Sequence, residues 1–251
     1  MAKRWLEDRD REILVSIYRH GILDRKQVQF LHFRNLAESS QKQTACKRLN
    51  QRLVEDGYLI RHDLAKVGQY TLTKKGAAIV ASTLDKEPDE IKIYKREESS
   101  HINHTIAIAN FHINLLKSNY IVEGYTSDYL NRIDYKVGNK PKTIIPDGRG
   151  FVNGNSFIME MDLSNMGYKE LEGKVANYEE YFKLKYWREQ FREKPKVIFV
   201  TRSTTKLNRI KELIENNKSN RLAYYLATIK EMEEGFKEGF YKVGQKNRAA
   251  L

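Results

Sequence analysis

The chain has 251 residues, 31% charged and 40% hydrophobic, with a net charge of +12. That composition suits a soluble protein with one large core or two small ones, and excludes a disordered or fibrous chain. Its lone cysteine, Cys46, excludes internal disulfides and any cysteine-rich zinc site. No apolar run approaches the roughly 18 residues needed to span a bilayer. The opening MAKRWLEDRDRE turns charged at once and shows no apolar signal-peptide core, so a cytoplasmic protein without a membrane partner is expected. Residues 1–84 hold sixteen Lys and Arg against nine Asp and Glu, +7 of the +12. Such asymmetry favours a polyanionic partner, nucleic acid before membrane.

In chain order, Ile13, Leu14, Ile17 and Tyr18 form the stripe of an amphipathic helix over 7–20, stopped by Gly21. Asp24 caps a short second helix through Val28 and Leu31. Ser40 with Gln43 reads as a capping box opening a third helix, SQKQTACKRLNQRLVEDG, ended by Gly57. Cys46, Leu49 and Leu53 make its inward stripe, while Lys42, Gln43, Lys47, Arg48 and Gln51 lie opposite. Tyr58-Leu59-Ile60 and Tyr70-Thr71-Leu72-Thr73 then read as two short strands around a basic turn, followed by a helix over 77–84.

Three helices and a β-wing in about 80 residues match a winged helix-turn-helix whose third helix enters the major groove of double-stranded DNA. The expected DNA contacts are Lys42, Gln43, Lys47, Arg48 and Gln51, with Arg61, Lys66 and Lys74 from the wing and its flank. DNA binding of this kind requires no cofactor. The other reading is a protein-binding winged helix that wears its charges for solubility.

The polar, Pro88-containing stretch 85–98 reads as a linker between two domains. A helix from Ser99 or Ser100 to Lys117 follows, apolar on two sides, which suits burial between domains or at a homodimer interface. Its His101, His104 and His112 read as edge or hydrogen-bonded histidines, because a metal site needs a third ligand and an open position. Strands are expected near 120–125 and 131–137, a helix over 168–191, a buried strand at KVIFVT and a helix over 205–216. Residues 218–251 read as a helix and then a Gly- and Lys-rich tail.

Between these lies IIPDGRGFVNGNSFIMEMD, residues 144–162. Asn-Gly is the strongest short hairpin signal, since both residues tolerate the positive φ of a type I′ turn. A two-residue turn at Asn153-Gly154 pairs Val152 with Asn155 and sets Asp147 opposite Glu160, on the face that also carries Asp162. A turn at Gly154-Asn155 would instead set Asp147 opposite Asp162. Like charges placed opposite one another destabilise a sheet unless a cation, a lysine or open water compensates. A hard ion such as Mg²⁺ or Mn²⁺ would take this oxygen set of Asp147, Glu160 and Asp162.

Pro146-Asp147, then Glu160-Met161-Asp162 on the next strand, resembles the PD-(D/E)xK nuclease superfamily. That resemblance implies a restriction-endonuclease-like α/β domain with a central mixed sheet. Asp162 stands where its motif has lysine; Lys174, on the following helix, could fill that place, and Lys169 is a weaker candidate. The order DRDREIL…IYRHGIL, GYLIR…YTLTKKG, SSHINHTIAIAN, PDG…MEMD…K…Y and KVIFVT resembles the replication-relaxation family over roughly residues 7–215.

The expected architecture is therefore α+β in two domains: a winged helix over 1–84 and, after the linker, a nuclease-like domain over 99–217, closed by 218–251. The resemblance implies a DNA-binding protein of a plasmid or other mobile element, acting in its replication, transfer or their control. A Mg²⁺-dependent nuclease, catalytic through Asp147, Glu160, Asp162 and Lys174, and an adaptor for replication or transfer proteins are the alternatives.

Overall fold

In the computed structural model, residues 5–63, 67–95, 99–163, 166–184, 186–216, 222–245 and 248–251 are described. The chain is α+β and divides into two compact units, residues 1–113 and 114–251. Among the described residues, no helix is long and apolar enough to cross a membrane.

The first unit opens with α1, Asp8–His20, closed by Gly21 at φ 77°. Strand β1, Leu23–Asp24, leads into α2, Arg25–Phe33. Asp24 caps α2 by accepting from the Gln27 amide at 2.8 Å, and the Gln27 side chain returns to the Asp24 amide, also at 2.8 Å. Helix α3, Glu38–Arg48, starts two residues before the expected capping box, so Ser40 lies inside it and Ala37 takes the N-cap without a side-chain bond. It continues as a π-helix over Leu49–Val54. Ala45, Leu49 and Leu53 are fully buried, whereas Cys46, expected on the inward stripe, is only half-buried.

Strands β2, Leu59–His62, and β3, Gln69–Leu72, pair antiparallel, and β1 adds to the other edge of β3. Helix α4, Lys74–Leu84, begins three residues earlier than expected because Thr73 caps it, accepting from the Gly76 amide at 3.0 Å. Helix α5, Ser99–Lys117, carries the chain from the first unit into the second.

The second unit is built on a mixed seven-stranded sheet. Strand β4 spans Val122–Ser127; β5, Ile133–Val137, and β6, Lys140–Ile144, form a separate two-stranded hairpin. Then come β7, Gly148–Val152, β8, Asn155–Asp162, and α6, Tyr168–Lys183. Strand β9, Lys196–Thr201, α7, Thr204–Asn216, β10, Tyr224–Thr228, α8, Ile229–Glu233, β11, Phe240–Lys242, and β12, Arg248–Ala249, complete it. The sheet order is β12-β11-β10-β9-β8-β7-β4, with β8, β9 and β10 parallel and the remaining neighbours antiparallel.

Two expectations change here. Within the segment expected to be helical, Tyr224–Thr228 is a buried strand inside the sheet, a short apolar run whose periodicity does not separate strand from helix. The helix expected over 168–191 stops at Lys183, and a 3-10 turn over Tyr186–Glu189 follows. The inward stripe of α6 is as expected, with Leu171, Val175, Tyr178 and Phe182 buried. These join Leu207, Ile210 and Ile214 of α7 over Ile158, Val197, Phe199 and Leu226 of the sheet.

Candidate functional site

In the first unit the outer face of α3 is polar and largely open. Lys42, Gln43, Lys47 and Gln51 are exposed, as are Arg61 on β2 and Lys74 at the start of α4. Lys66 lies outside the described residues. An open groove of about 840 Å³ runs along α3, lined by Gln43, Lys47, Arg48, Gln51 and Arg52, with Glu55 at its end.

Arg48 is differently placed. Its Nη1 donates to Glu7 and to the fully buried Asp10, both at 2.8 Å. Arg52 joins the same pair, 2.7 Å from each carboxylate. These bonds hold Glu7 below the usual carboxylate range. Arg48 and Arg52 therefore fasten α3 and the turn after it to α1, while Lys42, Gln43, Lys47 and Gln51 are exposed. Arg61 bonds Asp63 at 2.8 Å, and its Nη1 reaches Asn50 at 3.3 Å.

In the second unit the hairpin adopts the two-residue turn. Asn153 and Gly154 take φ 48° and 79°, Val152 pairs with Asn155, and Gly148 pairs with Met159. Asp147 is thus the next position, opposite Glu160. Asp147 is 7% exposed, Glu160 1% and Asp162 2%. Helix α6 lies over this face and brings Lys174 and Tyr178, one turn apart, to the two oxygens of Glu160. Of the three compensations a sheet could use, this one is lysine.

Asp147 turns its Oδ2 to the Met161 amide at 2.7 Å. Asp162, one pleat beyond Glu160, meets Lys206 Nζ of α7 at 2.5 Å. Burial raises the Glu160 pKa and the Asp147 charge adds to it, against the Lys174 ammonium and the Tyr178 hydroxyl. Burial also works against the charge on Lys174, but Glu160 and Asp147 outweigh it and hold the ammonium well above its usual range. The pair is an ammonium and a carboxylate stabilising one another.

A hard divalent ion needs several oxygen lone pairs turned toward one open position. Glu160 gives its oxygens to Lys174 and Tyr178, Asp147 binds a backbone amide, and Asp162 binds Lys206. Among the described residues, no three Asp, Glu, His or Cys side chains gather where a metal could sit. As arranged, oxygens of Asp147, Glu160 and Asp162 are taken up by protein donors. Lys169 is on α6, and among the described residues no bond joins it to this network.

Sequence reasoning found Lys174 through the resemblance and placed Tyr178 only in the core. It missed Lys206, Arg52 and Asp10. Lys206 had no local signal, because its approach depends on the parallel register that sets Asp162 beside Thr201. Asp10 and Arg52 had a faint one: Glu7 and Asp10 repeat at i, i+3 and Arg48 and Arg52 at i, i+4, so each pair shares a helix face.

Among solved structures the chain is similar to protein VC1899 from Vibrio cholerae, at 11% identity and a TM-score of 0.34. The match covers 92% of this chain and 56% of that one, so this chain spans about half of its length. No curated protein matches the chain. The family model described as replication-relaxation matches residues 14–196, taking in α1 through the carboxylate face and α6. The chain belongs to the replication-relaxation family.

Proposed function

We propose that the protein binds double-stranded DNA of a plasmid or other mobile element, through a winged-helix first unit, in that element's replication, transfer or their control. One observation carries the reading. Arg48 and Arg52 are engaged by Glu7 and Asp10, leaving Lys42, Gln43, Lys47 and Gln51 exposed along the groove that a recognition helix would present to the major groove. Arg61 and Lys74 would add phosphate contacts beside it. The second unit would be a nuclease-like fold kept for binding, because its carboxylates are engaged by Lys174, Tyr178 and Lys206. Partner proteins of replication or transfer, and a homodimer, are compatible with this role. Fluorescence anisotropy with labelled duplex DNA across a salt series tests it: affinity must fall steeply as salt rises, since phosphate contacts release counterions.

A second reading, a Mg²⁺-dependent nuclease using Asp147, Glu160 and Lys174, is favoured by Lys174 reaching Glu160 from α6. It requires the network to open before an ion could bind. Calorimetric titration with Mn²⁺ of the wild type and of Asp147→Ala separates the two readings. Metal heat lost in the variant, together with plasmid nicking, would support the nuclease.

A further inference from the structure

A second cavity lies in the same unit, beside the β5–β6 hairpin and away from the carboxylate network. It measures about 220 Å³ and is walled by Asp134, Tyr135 and Lys136 of β5, Tyr181 of α6, and the segment bearing Tyr186, Glu189 and Gln190. That is the share of about seven water molecules in the liquid, and less than the roughly 300 Å³ at which drug-sized pockets begin. The room suits one heterocycle.

Its chemistry is aromatic and polar together. The Tyr135 and Tyr181 rings meet edge-on with centroids 5.2 Å apart. Tyr186 is 51% exposed, an open ring on the rim. Tyr181 is almost fully buried, so it forms the floor of the cavity with Tyr135. Gln190 offers an amide, its Oε1 accepting from Arg149 at 3.5 Å, and Glu189 offers a carboxylate.

We propose that this cavity takes one unstacked base of single-stranded DNA, cytosine or adenine in preference to thymine. Within a duplex a base is paired and stacked and cannot enter such a pocket; a single strand can splay its bases onto aromatic side chains. The exocyclic amine of cytosine or adenine would donate to Glu189 or the Gln190 carbonyl, while Tyr186 supplies the stacking face. The acids of the wall disfavour a phosphate inside, whereas Lys136 and the exposed Lys140 at the hairpin tip would hold the backbone outside. The proposal rests on the DNA-binding reading and extends it from duplex to opened strand, as replication or transfer produces.

The test uses the full chain and two probes: oligodeoxycytidylate of about twelve nucleotides and an abasic strand of the same length. Wild type should bind the first at least about tenfold more tightly than the second, and Tyr186→Ala should lose about tenfold on the first only. Gln190→Leu, which removes the amide and keeps the size, should lose about fivefold. Equal affinity for both strands, or a Tyr186→Ala variant that binds oligodeoxycytidylate like wild type, overturns the proposal. Duplex binding measured on the same variants keeps the two readings apart. If duplex binding is intact in all of them and the single-strand difference is absent, only this pocket fails. If the difference is present without duplex binding, the pocket stands and the α3 reading fails.

Discussion

Lys174 and Glu160, fourteen positions apart in the chain, meet across the α6–β8 packing, with Tyr178 on the other carboxylate oxygen. The contact places an ammonium where Asp147 and Glu160 would otherwise repel one another in a buried setting. It follows that the acidic face of the hairpin is part of the fold's own charge balance.

Lys174→Met should therefore destabilise the protein. Removing one partner of a buried pair typically costs about 3–5 kcal/mol, and Lys174 keeps partial access to water, so a loss of about 2–3 kcal/mol is expected. Urea denaturation measures it. A variant as stable as wild type would mean that Glu160 does not depend on the lysine.

Neighbouring residues on α3 should behave in opposite ways. Arg48→Ala leaves the buried Asp10 with Arg52 alone and should cost about 2–3 kcal/mol of stability. Lys47→Ala, on the exposed face, should change stability by no more than about 0.5 kcal/mol. Thermal melts of the two variants, side by side, decide the matter.

Histidines largely withdrawn from water make stability pH-dependent. His20 Nδ1 donates to the Ser16 carbonyl at 2.8 Å, so its Nε2 accepts from His112 Nδ1 at 2.9 Å. A proton added to His20 would set two donors against each other. Burial first, and then nearby Arg19, depress His20 to about 4 despite the Ser16 carbonyl; burial likewise depresses His32 to about 4 and His112 well below its ordinary value. At these three sites the unfolded chain thus binds more protons than the folded one between about pH 4 and 6.5, and their contribution is lost as pH falls through that window, outweighing Glu160, whose raised pKa acts in the opposite sense. The expected slope is up to about 1.4 kcal/mol per pH unit for each histidine. Chemical denaturation at pH 7 and pH 5 checks the sign; equal stability at both would contradict it.

Gly154→Ala tests the turn. At φ 79° a side chain costs about 1–2 kcal/mol, although the space around the Cβ is empty. The variant should lose about that much and keep its far-ultraviolet spectrum.

The turn is also where the sequence was most readable. Asn153-Gly154 set the register, and the register put Asp147 beside Glu160. Asp24, Gly21 and the stripes of α1 and α6 were legible for the same reason: caps and periodicity are local. Tyr224–Thr228 was not legible, because five buried residues carry no alternation and the parallel partner β9 is distant in sequence. The hairpin strand Lys140–Ile144, with its proline and lysines, gave no strand pattern either. The face of Arg48 could be read as polar, but its commitment to Asp10 depends on how α3 packs against α1. Charge balance between elements is a tertiary fact, and it decides which basic residues of α3 are engaged within the fold.

The central claim is that the exposed face of α3 contacts DNA phosphates and bases. The most direct measurement is the salt dependence of duplex binding for wild type and for Lys47→Ala. The account predicts weaker binding in the variant at every salt concentration and a slope in log–log form shallower by about one unit. An unchanged slope and affinity, with the variant fully folded, would contradict it.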